Sequence, residues 1–305
     1  MTVFLKVSKM EIKERNEKVP GRRKEHVPKL EEEKKKRKKI AEAQFQPSLH
    51  GFIFSNQWRD YPGYHYSIQV PPWPKISFTT GSTTSLGLCG GMSFAARDFY
   101  ETKSGNPRVD KPSADSPLYR YIRDRQADSV VYNNFEAVGK FLALMNPALP
   151  DHDTWVARGR AWKTIKEEWP KIKGDLDRDS RLCCLGLVLV KTYDLEKISD
   201  NHQVLAYGYD LDGDLNLNIY VYDPNYPNID SMHLHLNISN PRHTTEMSLY
   251  KGSMYVKKIY AFFQLHYEYP RIPFDQYQEH ENSDLREKAK LANNSADDNN
   301  RNVTN

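Results

Sequence analysis

Residues 87–100 read GLCGGMSFAARDFY, and the interpretation of the whole sequence starts from this stretch. After Gly91 apolar side chains recur three and four residues apart, which predicts a buried helix face: Met92, Ala95, Ala96 and Phe99. Cys89 therefore lies where a glycine-rich loop becomes a helix. The unpaired N–H groups at a helix start carry partial positive charge and stabilise a thiolate. We interpret Cys89 as a candidate nucleophile.

A second stretch, residues 201–225, offers a base and an acid for that thiol. The segment after His202 alternates like a strand, Asp212 and Gly213 form a turn signal, and a second strand runs to Tyr222. A two-residue turn would place His202 and Asp223 opposite each other at the open end of a hairpin. Asp223 would then hold one nitrogen of the imidazole and leave the other for the thiol. Asn225 is the alternative residue for the third role, because a bulge would shift the register.

These two stretches resemble the papain-like cysteine peptidases. The pattern HQVLAYGYD followed by YDP is most similar to the bacteriocin-processing branch and its uncharacterised relatives. The resemblance covers roughly residues 50–270. It implies a papain-like α+β fold, in which an N-terminal helical half with the Cys-bearing helix packs on a C-terminal antiparallel sheet. It also implies that Cys89, His202 and Asp223 form a catalytic triad that cleaves peptide or isopeptide bonds.

The sequence departs from the family at the donor that stabilises the reaction's oxyanion. In the family a Gln usually stands six residues before the Cys, and here that position is Thr83. We expect the backbone N–H of Cys89 to act together with one side chain, from Thr83, Thr84, Asn56 or Gln57.

Two other functions remain open at this stage. The absent Gln is compatible with a catalytically silent papain-like module that binds a peptide or protein partner in the same cleft. The Cys, His, Asp order also occurs in transglutaminases, which transfer an acyl group to an amine. The reactivity of Cys89 toward an electrophile separates the first alternative from a hydrolase, and amine incorporation separates the second.

Composition limits the remaining functions. Residues 1–45 carry 15 of the 44 Lys and Arg residues and 8 of the 40 acidic residues, so the rest of the chain is close to neutral and does not resemble a nucleic-acid-binding domain. Contact with nucleic acid or an anionic surface is expected only through this basic tail. Its Lys34–Lys39 run is compatible with nuclear import. Three cysteines form no disulfide framework, so we predict an intracellular, cytoplasmic protein. The sequence has no apolar run of about 18 residues, so we predict no membrane span.

The sequence divides into three parts. Residues 1–45 are predicted to be a charged tail, disordered or a short helix, residues 46–275 the papain-like domain, and residues 276–305 a disordered polar tail. Within the domain, residues 46–86 read as irregular and aromatic. Helices are predicted for the Cys89 segment, from Ser116 to about residue 126, over residues 134–145, and around Trp162 to Ile172, where Pro170 should kink or shorten the helix.

Strands are predicted for the second half of the domain. Residues 182–190 form a continuous apolar run typical of a buried strand, in which Cys183 and Cys184 would point to opposite faces. His233 and His235 alternate on one face of a later strand, but no third ligand accompanies them. We therefore predict no metal site and no cofactor. The resemblance to cysteine peptidases implies a peptide or protein as the substrate.

Overall fold

The structure, a computed structural model, describes residues 45–58, 61, 64–69, 71–72, 74–80, 87–178, 181–243, 246–270 and 273–275. Five sequence predictions lie outside these residues: those on the basic tail before residue 45, its Lys34–Lys39 run, Thr83, Thr84 and the tail after residue 275. No helix in the described ranges is both long enough and apolar enough to cross a bilayer.

The protein has an α+β fold built on one seven-stranded antiparallel sheet with strand order β8-β7-β6-β5-β4-β3-β9. Its strands are β3 (Cys183–Val188), β4 (His202–Leu211), β5 (Asn216–Tyr222), β6 (Met232–Asn237), β7 (Met247–Lys251), β8 (Met254–Ile259) and β9 (Ala261–Gln264). A 3₁₀ helix (Leu195–Asp200) leads into β4. Helices come before the sheet along the chain, so the predicted order of a helical first half and a stranded second half is confirmed.

Two apolar cores lie on the two faces of this sheet, and β3 contributes to both. Cys184 belongs to the core shared with the first helices, whereas Cys183 belongs to the core shared with the helix around Trp169. Every residue of β3 is buried, as expected for a strand that is paired on both sides and covered on both faces. The predictions of a buried strand here and of opposite faces for the two cysteines are confirmed.

Two long helices, α2 (Cys89–Glu101) and α3 (Pro117–Met145), pack on one face of the sheet, and a short helix, α1 (Pro47–His50), precedes them. α3 begins as predicted, because the Ser116 hydroxyl accepts a hydrogen bond from the Tyr119 N–H at 3.2 Å and proline occupies the first turn. The two helices predicted on either side of residue 130 are both present, as two segments of α3 that non-helical backbone separates at residues 132–135.

The helix predicted around Trp162 differs from expectation at its proline. It runs through α4 (Arg160–Trp162), a π-helical segment (Lys163–Glu168) and α5 (Trp169–Leu176) without ending at Pro170. In the π segment the Trp169 N–H bonds the Thr164 carbonyl, five residues back. This wider turn comes just before Pro170, which cannot donate a backbone hydrogen bond, so the helix continues instead of breaking.

The prediction that residues 46–86 are irregular is wrong in part. Two strands, β1 (Tyr64–Ile68) and β2 (Ile76–Thr80), pair as a separate antiparallel hairpin. Prolines at positions 71, 72 and 74 exclude a helix, but they lie between the two strands, where they interrupt no ladder hydrogen bond.

The segment after β9 is fastened to the helices through a buried ion pair between Asp98 and Arg125. The Arg125 guanidinium bonds both carboxylate oxygens of Asp98, at 2.8 and 3.0 Å. The Tyr267 hydroxyl donates to the same carboxylate at 2.6 Å, and Arg125 also donates to the Glu268 carbonyl at 2.9 Å. Further along, the Phe274 ring packs edge-on against Phe99 and Tyr121.

Candidate active site

Cys89 is the first residue of α2, with Leu88 as its N-cap. Two of the N–H groups that a helix start leaves without a helical partner are bonded by side chains. The Leu88 N–H donates to Asn56 Oδ1 at 2.7 Å, and the Gly91 N–H donates to Gln126 Oε1 at 2.9 Å. The N–H groups of Cys89 and Gly90 bond no residue that the structure describes. The half-buried Cys89 thiol therefore lies beside two available backbone donors.

The glycines around Cys89 are needed for close packing of neighbouring elements. A Cβ on Gly87 would lie 2.1 Å from Asn56 Nδ2, and a Cβ on Gly91 would lie 2.0 Å from the backbone carbonyl oxygen of Ile122 in α3. These distances leave no space for a side chain at either position. The glycine-rich sequence thus brings Asn56 and α3 against the start of the helix that carries Cys89.

His202 opens β4 and Asp223 directly follows β5, and their side chains meet. His202 Nε2 lies 2.7 Å from Asp223 Oδ1, and the backbone N–H of Asn225 donates to the same oxygen at 2.9 Å. Both side chains are buried, with 5 % of His202 and 1 % of Asp223 exposed. A buried carboxylate needs a compensating positive charge, and a protonated imidazole supplies it.

The surroundings of His202 favour its charged form. Burial by itself lowers the pKa of His202, but Asp223 and Cys89, through their charges and through hydrogen bonds, raise it to about 10. These interactions favour the imidazolium over the neutral ring. Because Asp223 engages Nε2, Nδ1 is the nitrogen that remains for the sulfur of Cys89.

Cys89 and His202 also line the same cleft, which is open to solvent. Asn201 and Gln203 flank His202 in its wall, and Gln126 lies near the helix start. The rest of the wall is mainly apolar: Val130, Ala137, Val138, Phe141 and Ile198. A group that enters this cleft would find both hydrocarbon surface and the thiol and imidazole.

The structure brings His202 and Asp223 together by a different register from the one expected. The β4–β5 connection is longer than a two-residue turn: the Asp212 N–H bonds the Asn216 carbonyl, and Leu215 has a φ of 63°. A bulge between Ala206 and Gly208 then shifts the pairing by one residue. His202 and Asp223 are then diagonal neighbours on adjacent strands instead of direct partners. Their side chains still meet, because diagonal neighbours are close enough for these side chains to touch.

Asn225 lies at the edge of this cluster. Its Nδ2 is 3.4 Å from His202 Nε2, and its Oδ1 accepts a hydrogen bond from Asn56 Nδ2 at 3.2 Å. Asp223 is thus the closer partner of the ring. Asn225 lies between the ring and Asn56.

The two oxyanion candidates that the structure describes are placed differently. The Asn56 amide lies next to the start of α2, but its NH₂ donates to Asn225 and its oxygen accepts two hydrogen bonds. Gln57 is exposed and does not line the cleft. The hydrogen bonds of Asn56 thus go to Asn225, Trp58 and Leu88, and an oxyanion donor among these two residues stays a prediction. Backbone donors remain, at Cys89 and Gly90.

No protein-family model, curated protein or solved structure matches the chain.

Sequence reasoning missed the part that Gln126 and Asn201 play in this site. Gln126 comes from α3 and caps the start of α2, and Asn201 Oδ1 accepts the Leu189 N–H at 2.9 Å, which fixes the chain just before His202. Neither residue belongs to a local pattern, because each partner lies on another element. The sequence offers a signal only for Asn201, which directly precedes the strand that begins at His202.

Other residues with reactive or metal-binding side chains lie apart from the cleft. Burial raises the pKa of the Cys184 thiol to about 12 and raises that of Cys183 as well, so both behave as core residues. His233 stacks on Tyr250, and His235 bonds Asn218 Oδ1 at 2.7 Å. Among the residues described, no three or more His, Cys, Asp or Glu side chains form a cluster that could hold a metal ion.

Proposed function

We propose that this chain is a papain-like thiol hydrolase, a cysteine peptidase that cleaves peptide or isopeptide bonds. Cys89 is the nucleophile, His202 the general base and acid, and Asp223 the residue that orients the imidazole. The observation that carries the proposal is the buried His202 imidazole, held by Asp223 at 2.7 Å and interacting with a Cys at the start of a helix. A structural Cys in an apolar core has no need of a charged partner.

The chemistry follows from these positions. The Cys89 thiolate attacks the substrate carbonyl carbon, and the N–H groups of Cys89 and Gly90 donate to the oxygen as it gains negative charge. The His202 imidazolium then gives its proton to the leaving amine, so the C–N bond breaks and a thioester remains. A water molecule, deprotonated by the neutral imidazole, hydrolyses the thioester and regenerates the thiolate and the imidazolium.

The cleft favours an apolar group next to the scissile bond. Val130, Phe141 and Ile198 offer hydrocarbon surface and no charge. Burying one large aliphatic or aromatic side chain there contributes about 1.5–3 kcal/mol, whereas a charged side chain would lose its hydration without a partner. We therefore propose peptides with an apolar residue near the cleaved bond as substrates.

The order and packing of the elements agree with a papain-like arrangement. The nucleophile's helix precedes an antiparallel sheet and packs on it, and His202 and Asp223 come from adjacent strands of that sheet. This order supports the proposal because the start of α2 and the start of β4 line the same cleft.

Labelling of Cys89 by an electrophilic probe tests the proposal. Iodoacetamide at about pH 6 should modify Cys89, located by mass spectrometry, because a free thiol with a pKa of about 8.5 is mostly protonated at that pH. His202→Ala should abolish the low-pH reaction, and Cys89→Ala should remove the adduct. A peptide library should then yield cleavage products that disappear in Cys89→Ala.

The same assays separate the alternatives. A wild-type protein whose Cys89 is no more reactive at about pH 6 than the His202→Ala variant would indicate a silent binding module. A labelled protein that incorporates an added amine faster than it hydrolyses its substrate would indicate an acyltransferase.

A further inference from the structure

We infer that Asn56 is a positioning residue of this site, which fixes the backbone in front of Cys89 and sets the direction in which the Asn225 amide points. The functional consequence rests on the proposed thiol chemistry, but the hydrogen bonds themselves do not. Asn56 lies 33 residues before Cys89, outside every motif that carries the triad. The Asn56 side chain does not line the cleft and acts through the residues that it contacts.

The oxygen of the Asn56 amide is identified by its partners. Oδ1 lies 2.7 Å from the backbone N of Leu88 and 2.9 Å from Nε1 of Trp58. Both of these groups can only donate hydrogen bonds, so the atom between them must be an acceptor. The other end of the amide is therefore the NH₂ group.

The direction of the Asn56 amide determines that of Asn225. The Asn56 NH₂ can only donate, so the Asn225 atom 3.2 Å away must be its oxygen. The Asn225 NH₂ then faces His202, with Nδ2 at 3.4 Å from Nε2. A carboxylate can only accept a hydrogen bond, so Nε2 carries the proton that is directed at Asp223. The Nε2–H and the Asn225 NH₂ are then both donors, and no hydrogen bond forms between these two groups.

This arrangement leaves Asp223 as the acceptor for the imidazole. Asn225 would compete for the Nε2 proton if its amide were reversed, because its oxygen would then face the ring. Asn56 prevents the reversal. The titratable groups that act on His202 are thus Asp223 and Cys89, and the Asn225 amide contributes a donor only.

Asn56 also ties the two halves of the site together through its backbone. Its N–H donates to the Pro224 carbonyl at 2.9 Å, in the turn between Asp223 and Asn225. Its side chain reaches Leu88, directly before the nucleophile, and fills the space that the missing side chain of Gly87 leaves. One residue therefore connects the start of α2 to the turn that follows β5.

The donor side of Asn56 is tested by NMR on protein with ¹⁵N-labelled Asn side-chain amides. In the wild type the Asn225 NH₂ protons, assigned by their loss in Asn225→Ala, should show a nuclear Overhauser effect to the His202 ring. Asn56→Asp keeps the oxygen acceptor for Leu88 but removes the NH₂ donor. Asn225 should then reverse, and the contact with the ring should disappear. Gln57→Glu, which adds the same charge at the neighbouring exposed residue, should leave it intact.

The acceptor side is tested by the rate at which iodoacetamide modifies Cys89 at about pH 6. Asn56→Ala frees the Leu88 N–H and should slow the reaction about tenfold or more, since a displacement of about 1 Å at a reacting group costs up to about a hundredfold. Asn56→Asp preserves that hydrogen bond and should restore most of the rate. If Asn56→Ala slowed the reaction only by destabilising the fold, Asn56→Asp would not restore the rate, because its added charge would destabilise the fold further.

The outcomes distinguish the inference from the proposed function. A wild-type protein without the Asn225–His202 contact, or one that keeps the contact in Asn56→Asp, overturns the inferred amide direction. An alkylation rate in a folded Asn56→Ala variant equal to the wild type overturns the positioning of Cys89. A wild-type Cys89 without low-pH reactivity contradicts the thiol chemistry alone, and the NMR result then still decides the role of Asn56. Since the first NMR measurement uses the wild type, it does not depend on any variant folding.

Discussion

Asp223→Asn is the substitution that most directly probes the charge state of the site. The change is isosteric and keeps an oxygen that can accept from His202, but it removes the negative charge 2.7 Å from the ring. Burial, which lowers the pKa of His202, is then opposed only by Cys89. We expect the pKa to fall by at least about two units, from about 10.

The size of the effect can be stated as free energy. A rise from the ordinary value of 6.5 to about 10 corresponds to roughly 5 kcal/mol, at about 1.4 kcal/mol per pKa unit. Because the folded-state pKa lies above the unfolded value, this contribution to stability is fully present below about pH 6.5 and is lost as the pH rises toward about 10. In Asp223→Asn most of this pH dependence should be absent.

The measurement keeps Cys89 in place, because Cys89 contributes to the raised pKa of His202. The His202 ring is titrated by NMR with ¹³C-labelled His, and urea unfolding is followed at about pH 6.5 and about pH 9.5. Asp214→Asn is the control: it removes one charge from the exposed turn after β4 without touching the site. A His202 pKa that Asp223→Asn leaves unchanged would refute the reasoning, and so would a wild-type ring that is neutral at about pH 7.

Three further predictions concern packing and thiol exposure. Gly91→Ala should lower the free energy of unfolding by at least about 2 kcal/mol in a urea titration, because its Cβ would lie 2.0 Å from a backbone oxygen. Gly174→Ala is the control and should be neutral or stabilising, because its Cβ would meet only the end of a flexible side chain at 3.9 Å. Arg125→Met should cost about 3–5 kcal/mol in thermal unfolding by leaving a buried carboxylate unpaired, and a cost below about 1 kcal/mol would contradict this. Iodoacetamide should modify a single thiol in the native protein but three in urea; early modification of Cys183 or Cys184 would show that β3 opens.

The parts of the fold that follow local patterns could be predicted from the sequence. The apolar run of β3, the Ser116 cap of α3 and the start of α2 each depend on neighbouring residues, and the structure has all three. The same holds for the hairpin ends that carry His202 and Asp223. These side chains meet because β4 begins and β5 ends at the same end of the sheet. A shift of the register by one residue does not change this.

The features that could not be predicted depend on partners far away in the sequence. The Asp-Gly pair favoured a two-residue turn, but Leu215 adopts the left-handed conformation and lengthens the loop. The sequence offers Asn56 only as one of four candidate oxyanion donors. Its actual hydrogen bonds to Leu88, Trp58 and Asn225 depend on how three elements pack, and no spacing in the sequence encodes this.

The packing of Phe274 against Phe99 and Tyr121 has a practical consequence for anyone who attaches a reporter to this protein. Phe99 lies ten residues along α2 from Cys89, which at 1.5 Å per residue is about 15 Å. A fluorophore or affinity handle fused after residue 275 therefore departs from the far end of α2. We expect such a handle to start away from the cleft. A handle inserted ahead of Phe45 would instead start beside Tyr207 and Tyr222, and Tyr222 directly precedes Asp223.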